Sequence, residues 1–217
     1  MPFTNFDPIS LALALALMAL LPTVVVVSTT FLKIAIVMAL LRNALGIQQV
    51  PPNLALYGLS LILSAYIMAP VGAEIHKQFI NNPEATRSAD KMLSAVAKGA
   101  EPMRGFMLKH SDRENRRFFL QTTRDMWPAE MSANVKEDDF MILLPSFMVS
   151  ELTAAFKIGF LLFLPFVVID LIVSNILLAM GMMMVSPVMI STPLKLFLFV
   201  MVDGWTRLIQ GLVYTYV

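Results

Sequence analysis

Cysteine is absent from this chain of 217 residues, which excludes disulfides and thiolate metal sites. Charge is scarce as well. Asp, Glu, Lys and Arg make up 14% of the chain, against roughly 25% in an ordinary soluble domain. The net charge of +1 gives no global field that would recruit nucleic acid. The two histidines, His76 and His110, stand 34 residues apart and no H-E-x-x-H occurs, so no metal site is expected. Nor is there a phosphate-cradling G-x-x-x-x-G-K-[ST], a dinucleotide G-x-G-x-x-G or a nucleophile G-x-S-x-G. No catalytic residue and no cofactor are predicted. The first ten residues carry Asp7 and no Lys or Arg. They lack the basic n-region of a secretory signal, so the N-terminus is read as retained.

What is present is apolar. Hydrophobic residues make up 58% of the chain and the mean hydropathy is +0.74, which places it in the membrane class. The charges are segregated. Residues 74–139 hold 11 acids and 11 bases, and the other 151 residues hold four acids and five bases. Three segments follow: apolar helices over 1–73, a polar helical insert over 74–139, and apolar helical hairpins over 140–217. The predicted fold class is all-α and integral-membrane-like, with broken helices.

Residues 9–32 carry no charge and are long enough to cross a hydrocarbon core of about 30 Å, with Pro22 expected to kink or split them. Lys33 and Arg42 fall in the connection to a second uncharged run, residues 54–73. The positive-inside rule puts that connection in the cytoplasm and the insert on the opposite side. Gly46 is suited to cap a helix that Pro51-Pro52 stops. In the insert, residues 88–98 carry Met92, Leu93 and Val96 at helical spacing, with Gly99 as a stop. Ser111-Asp-Arg-Glu114 fits a capping box with Ser111 at the cap. The helix it opens ends before Trp127-Pro128. Beyond residue 140, Pro145 and Pro165 are expected to interrupt the apolar sequence.

Five of the ten residues from Met180 to Met189 are methionine. Gly181 and Pro187 disfavour an uninterrupted helix, so the stretch is predicted to be a turn between two apolar helices. Met182, Met183 and Met184 point in three directions at about 100° per residue, so one helix face cannot bury them all. A turn, or a ring of copied subunits, can. Methionine is unbranched and adaptable, able to close an irregular gap and close it again.

Glu151, Lys157, Asp170, Lys195 and Asp203 lie inside or beside apolar sequence. An unpaired charge at bilayer depth costs at least ~2.5–3.5 kcal/mol, so buried or inter-subunit ion pairs are expected among them. Glu151 with Lys195 is the pairing proposed. The alternative function weighed is a small-solute or ion transporter, which expects inverted repeats and a polar midplane site. No internal repeat is visible.

Five motifs, in order, resemble the FliP/SctR family of type III secretion export-gate subunits. They are Leu41-Arg-Asn-Ala-Leu-Gly46 with Pro51-Pro-Asn53, Val149-Ser-Glu-Leu-Thr-Ala-Ala-Phe156, Phe163-Leu-Pro-Phe-Val-Val-Ile-Asp170, Met180-Gly-Met-Met-Met-Val-Ser-Pro187, and Lys195-Leu-Phe-Leu-Phe-Val-Met-Val-Asp-Gly-Trp205. Gln48-Gln49 before the double proline is more similar to the virulence-injectisome branch than to the flagellar one. The resemblance implies a ring of five copies joined by a small two-helix subunit and a larger multi-helix subunit, beside a large export-gate protein. Together these form a closed helical conduit for unfolded secreted substrates. It further implies a gate in the bacterial inner (cell) membrane, in contact with membrane lipids and extending to the periplasmic side. The family's methionine gasket maps onto Met182, Met183 and Met184, and its inter-subunit ion pairing onto Glu151 and Lys195.

Overall fold

The computed structural model describes residues 8–47, 49–80 and 89–217. Among them the chain is all helix, with no strand, as its composition predicts. The elements are α1 (Pro8–Ser28), α2 (Phe31–Ala44), α3 (Asn53–Ile80), α4 (Ala89–Gly99), α5 (Glu101–His110), α6 (Arg113–Met126), α7 (Ala129–Ser132), α8 (Phe140–Ala179), α9 (Pro187–Met201) and α10 (Gly204–Tyr214). Two helices, Asn53–Gln78 and Phe140–Ala179, are long and apolar enough to cross a membrane. The number rises to four if each of two bent helix pairs counts as one span.

Punctuation in the sequence sets most of the ends. The backbone N–H of Gly46 donates to Asn43 O at 3.1 Å with φ +74°, and α2 stops there. The stop at Gly99 and the end of α6 before Trp127 also fall as predicted. Three expectations need correction. Lys33 and Arg42 do not lie in a connection, because both sit in the helix α2. Lys33 is on its buried face, where spacings of 4, 4 and 3 put it in line with Val37, Leu41 and Ala44. It therefore contributes no loop cation to a topology argument. Pro145 and Pro165 do not break the chain either, since α8 runs through both. Proline in a helix interior costs about 3 kcal/mol, but a chain break in apolar surroundings strands several backbone groups at a larger cost. Third, the cap of α6 is Asp112, one residue beyond Ser111: its carboxylate accepts from the Glu114 N–H at 2.8 Å.

The chain forms two compact units, residues 1–31 with 65–151 and residues 32–64 with 152–217. The described residues of the polar insert lie in the first. There Met107, Ile142, Leu143 and Phe147 are fully buried, and the Phe106 ring meets Phe147 edge-on at 5.9 Å. Ser150 on α8 accepts from the Asp112 backbone N–H at 2.8 Å and from Asn115 Nδ2 at 2.9 Å, which fastens the start of α6.

In the second unit Ile34, Val37, Met38 and Leu41 of α2 are completely buried. Gly159 lets α2 approach α8, since a Cβ there would fall 2.2 Å from Leu40 Cδ1. α9 and α10 are bent by 64° at their junction. Asp203 takes up the bend in the left-handed region, φ 53°. Gly204 follows it, where a Cβ would meet the Phe199 ring at 2.2 Å.

Candidate functional site

The methionine stretch is a turn, as its Gly and Pro predict. α8 closes in a Schellman motif: the Met182 N–H donates to Leu177 O at 2.9 Å and the Gly181 N–H to Leu178 O at 3.0 Å. Gly181 takes φ +74°, which glycine adopts without steric cost. α9 then starts at Pro187, where a missing N–H is no loss. The residues between carry the thioethers outward. Met182 is 40% exposed, Met183 81% and Met184 fully exposed. Among the described residues nothing covers Met184, and little covers Met183.

The second unit gathers two of the five apolar-segment charges. Lys195, buried on α9, donates from Nζ to Asp170 Oδ2 on α8 at 2.6 Å and to the Ala44 carbonyl at 3.2 Å. Ala44 is the last residue of α2, so the ammonium also meets the negative end of that helix. One lysine thus ties three helices together. The partner that the structure gives Lys195 is Asp170, whereas the sequence pairing had named Glu151. Glu151 is itself buried, in the first unit and engaged in contacts of its own. Lys157 and Asp203 are exposed.

Sequence reasoning missed Lys33. It is buried, and its Nζ stands 3.6 Å from the centroid of the Tyr216 ring, a cation–π contact that holds the C-terminal residues against α2. The signal was present in its alignment with Val37, Leu41 and Ala44. Ser191, one turn before Lys195, is also buried, with its hydroxyl unpartnered among the described residues. Among the described residues no cluster of His, Asp or Glu is arranged to hold a metal ion.

Long apolar helices, a buried lysine with a half-buried counter-ion and a wide uncovered apolar surface define an all-helical, membrane-class protein that lipid or other chains must cover. Residues 14–212 match the FliP family. The chain is 50% identical over 210 residues to "Yop proteins translocation protein R" of Yersinia pestis, covering 97% of each chain. It is 47% identical over 212 residues to "Harpin secretion protein HrcR" of Erwinia amylovora, covering 98% of each. To "Virulence protein YscR" of Salmonella typhimurium it is 45% identical over 211 residues, covering 97% of each. The chain belongs to the FliP family, on its virulence type III secretion side.

Proposed function

We propose that this chain is a core subunit of a type III protein-export gate, without catalysis of its own. Copies of it, with a small two-helix subunit and a larger multi-helix subunit, enclose a path for unfolded protein across the bacterial inner membrane. Three consecutive methionines at the tip of a rigidly capped turn are the observation that carries this reading. A Schellman-capped helix end holds the turn in place, and flexible thioethers conform to whatever meets them. Met182, Met183 and Met184 from several copies form the seal in this reading. It yields to a passing chain and closes again behind it. Glu151 and Lys195 are assigned to contacts between subunits, with Asp170 holding Lys195 in the separate chain at 2.6 Å.

The absence of cysteine makes the test direct. Met183→Cys introduces a single thiol, and a disulfide requires Cα atoms within about 7 Å. Oxidised membranes from cells carrying the whole secretion system are expected to yield a crosslinked dimer of this subunit. If no dimer forms while the thiol still reacts with a small maleimide, the turns do not meet and the methionine seal is wrong.

A further inference from the structure

The chain has 17 methionines and no cysteine, so thioethers are its only sulfur. They differ widely in exposure. Met38 and Met107 are fully buried and Met68 is nearly so. Met183 and Met184 are the most exposed methionines among the described residues, side by side at the tip of the capped turn. A thioether surrounded by solvent meets a dissolved oxidant directly, whereas a buried one waits for local unfolding. The fold does not depend on the exposed pair. The hydrogen bonds of the turn are made by backbone groups, from the Met182 N–H to Leu177 O at 2.9 Å and from the Met183 N–H to Gly181 O at 3.0 Å. Oxygen added to either exposed sulfur therefore leaves the helix end closed.

One oxidant, hydrogen peroxide, completes the reaction. The sulfur lone pair attacks one peroxide oxygen, the O–O bond breaks and an S–O bond forms. The hydroxide released takes the proton of the transferred oxygen and leaves as water. Sulfur gives up two electrons and the peroxide gains them. The product is a sulfoxide, a polar and chiral group in place of an apolar one, and it disrupts methionine-rich contacts. Its oxygen is an acceptor that keeps its water, because burying it unpaired in a dry contact is costly. Met126 and Met131 are exposed too, but they lie in the polar insert, where a polar product meets polar surroundings.

We propose that Met183 and Met184 are an oxidation site, and that a peroxide converts them to sulfoxides that open the methionine seal to water and ions. A methionine sulfoxide reductase reverses the step, with two thiols going to a disulfide and water. The modification site stands on exposure, and its effect on the seal rests on the export-gate reading.

The full chain in detergent is treated with dilute hydrogen peroxide, and the oxygen gained by each methionine is followed by peptide mass spectrometry. Met183 and Met184 are expected to react at least about tenfold faster than Met38 and Met107, in line with their access to solvent. Equal rates, with circular dichroism showing a folded chain, overturn the site. Leakage of a small dye is then measured across membranes from cells carrying the whole secretion system. Peroxide is expected to raise it severalfold, and the reductase with a thiol to return it to its starting value. The triple variant Met182→Leu, Met183→Leu and Met184→Leu keeps apolar side chains of similar volume that peroxide does not oxidise. Whatever its leak before treatment, peroxide is expected to leave it unchanged. A response in that variant as large as in the parent overturns the effect on the seal. Fast oxidation with no change in leak, in membranes where the Met183→Cys crosslink forms, also overturns that effect and leaves the seal reading standing. Where the crosslink does not form, the seal reading fails and the effect falls with it, while fast oxidation of the separate chain still supports the site.

Discussion

Arg116 in the first unit and Lys195 in the second perform the same task in opposite surroundings. Each is a buried cation on one helix that closes the C-terminal carbonyls of another. Arg116 on α6 donates from Nη1 to Leu108 O at 3.3 Å and to the carbonyl and hydroxyl of Ser111, at the end of α5. Lys195 on α9 donates to Ala44 O at the end of α2. The difference lies in the counter-charge. Glu137 reaches Arg116 Nε only at 4.0 Å and is 45% exposed, whereas Asp170 holds Lys195 at 2.6 Å. Guanidinium has five donors and can be satisfied by neutral carbonyls. A buried ammonium in apolar sequence has fewer acceptors near it, and a carboxylate makes up the shortfall.

That contrast can be broken, starting with the largest effect. Asp170→Asn leaves the Lys195 charge buried without its counter-ion and is expected to destabilise the chain by about 3 kcal/mol. Lys195→Met should cost less, because the Asp170 side chain is 39% exposed, while its Oδ1 is buried without a hydrogen-bond partner among the described residues in either case. Urea unfolding in detergent, followed by circular dichroism, gives the order. An equal loss in the two variants would mean that the pair is not the asymmetric one described here. Next comes Arg116→Met, which strips two carbonyls and a hydroxyl of a charged donor and is expected to cost about 2 kcal/mol. The same titration checks it, and a change near zero would remove Arg116 from the structural role. Smallest is Glu137→Gln, under ~0.5 kcal/mol for a long and half-exposed pair. A loss as large as that of Asp170→Asn would erase the distinction between the two sites.

The same contrast explains what the sequence disclosed. In apolar surroundings Lys195 and Asp170 stand out as charges that need partners. Which partner each takes is a matter of packing across 25 and 151 residues of chain, which no spacing rule reaches. Arg116 sits among 11 acids and 11 bases, so nothing marks it as the buried one. Turns were legible at Gly46 and at the methionine stretch, where glycine and proline mark them, and not at Ser28 or Asp203. Gly46 and Gly181 adopt positive φ where helices end, and the methionine turn lies between α8 and α9. Proline was the misleading signal. Pro145 and Pro165 lie within one helix because the penalty of keeping it whole is smaller than that of exposing backbone to an apolar medium. Lys33 misleads in the opposite way: its charge suggests a loop, while its spacing from Val37 and Leu41 places it on one helical face.

The length of α8 has a consequence for the life of the chain in the cell. Its 40 residues extend about 60 Å at 1.5 Å per residue, twice a hydrocarbon core of roughly 30 Å. Tilts within the range of up to ~40° seen for spanning helices do not bring that length inside the bilayer. Part of the helix therefore projects from the membrane: its first turns, with Ile142, Leu143 and Phe147, are covered by the chain's own insert, and the apolar surface beyond them waits for another protein. Before that happens the newly made subunit displays the greasy surface that quality-control proteases and chaperones recognise. Its half-life in the cell is then expected to rise with the supply of chains that cover it.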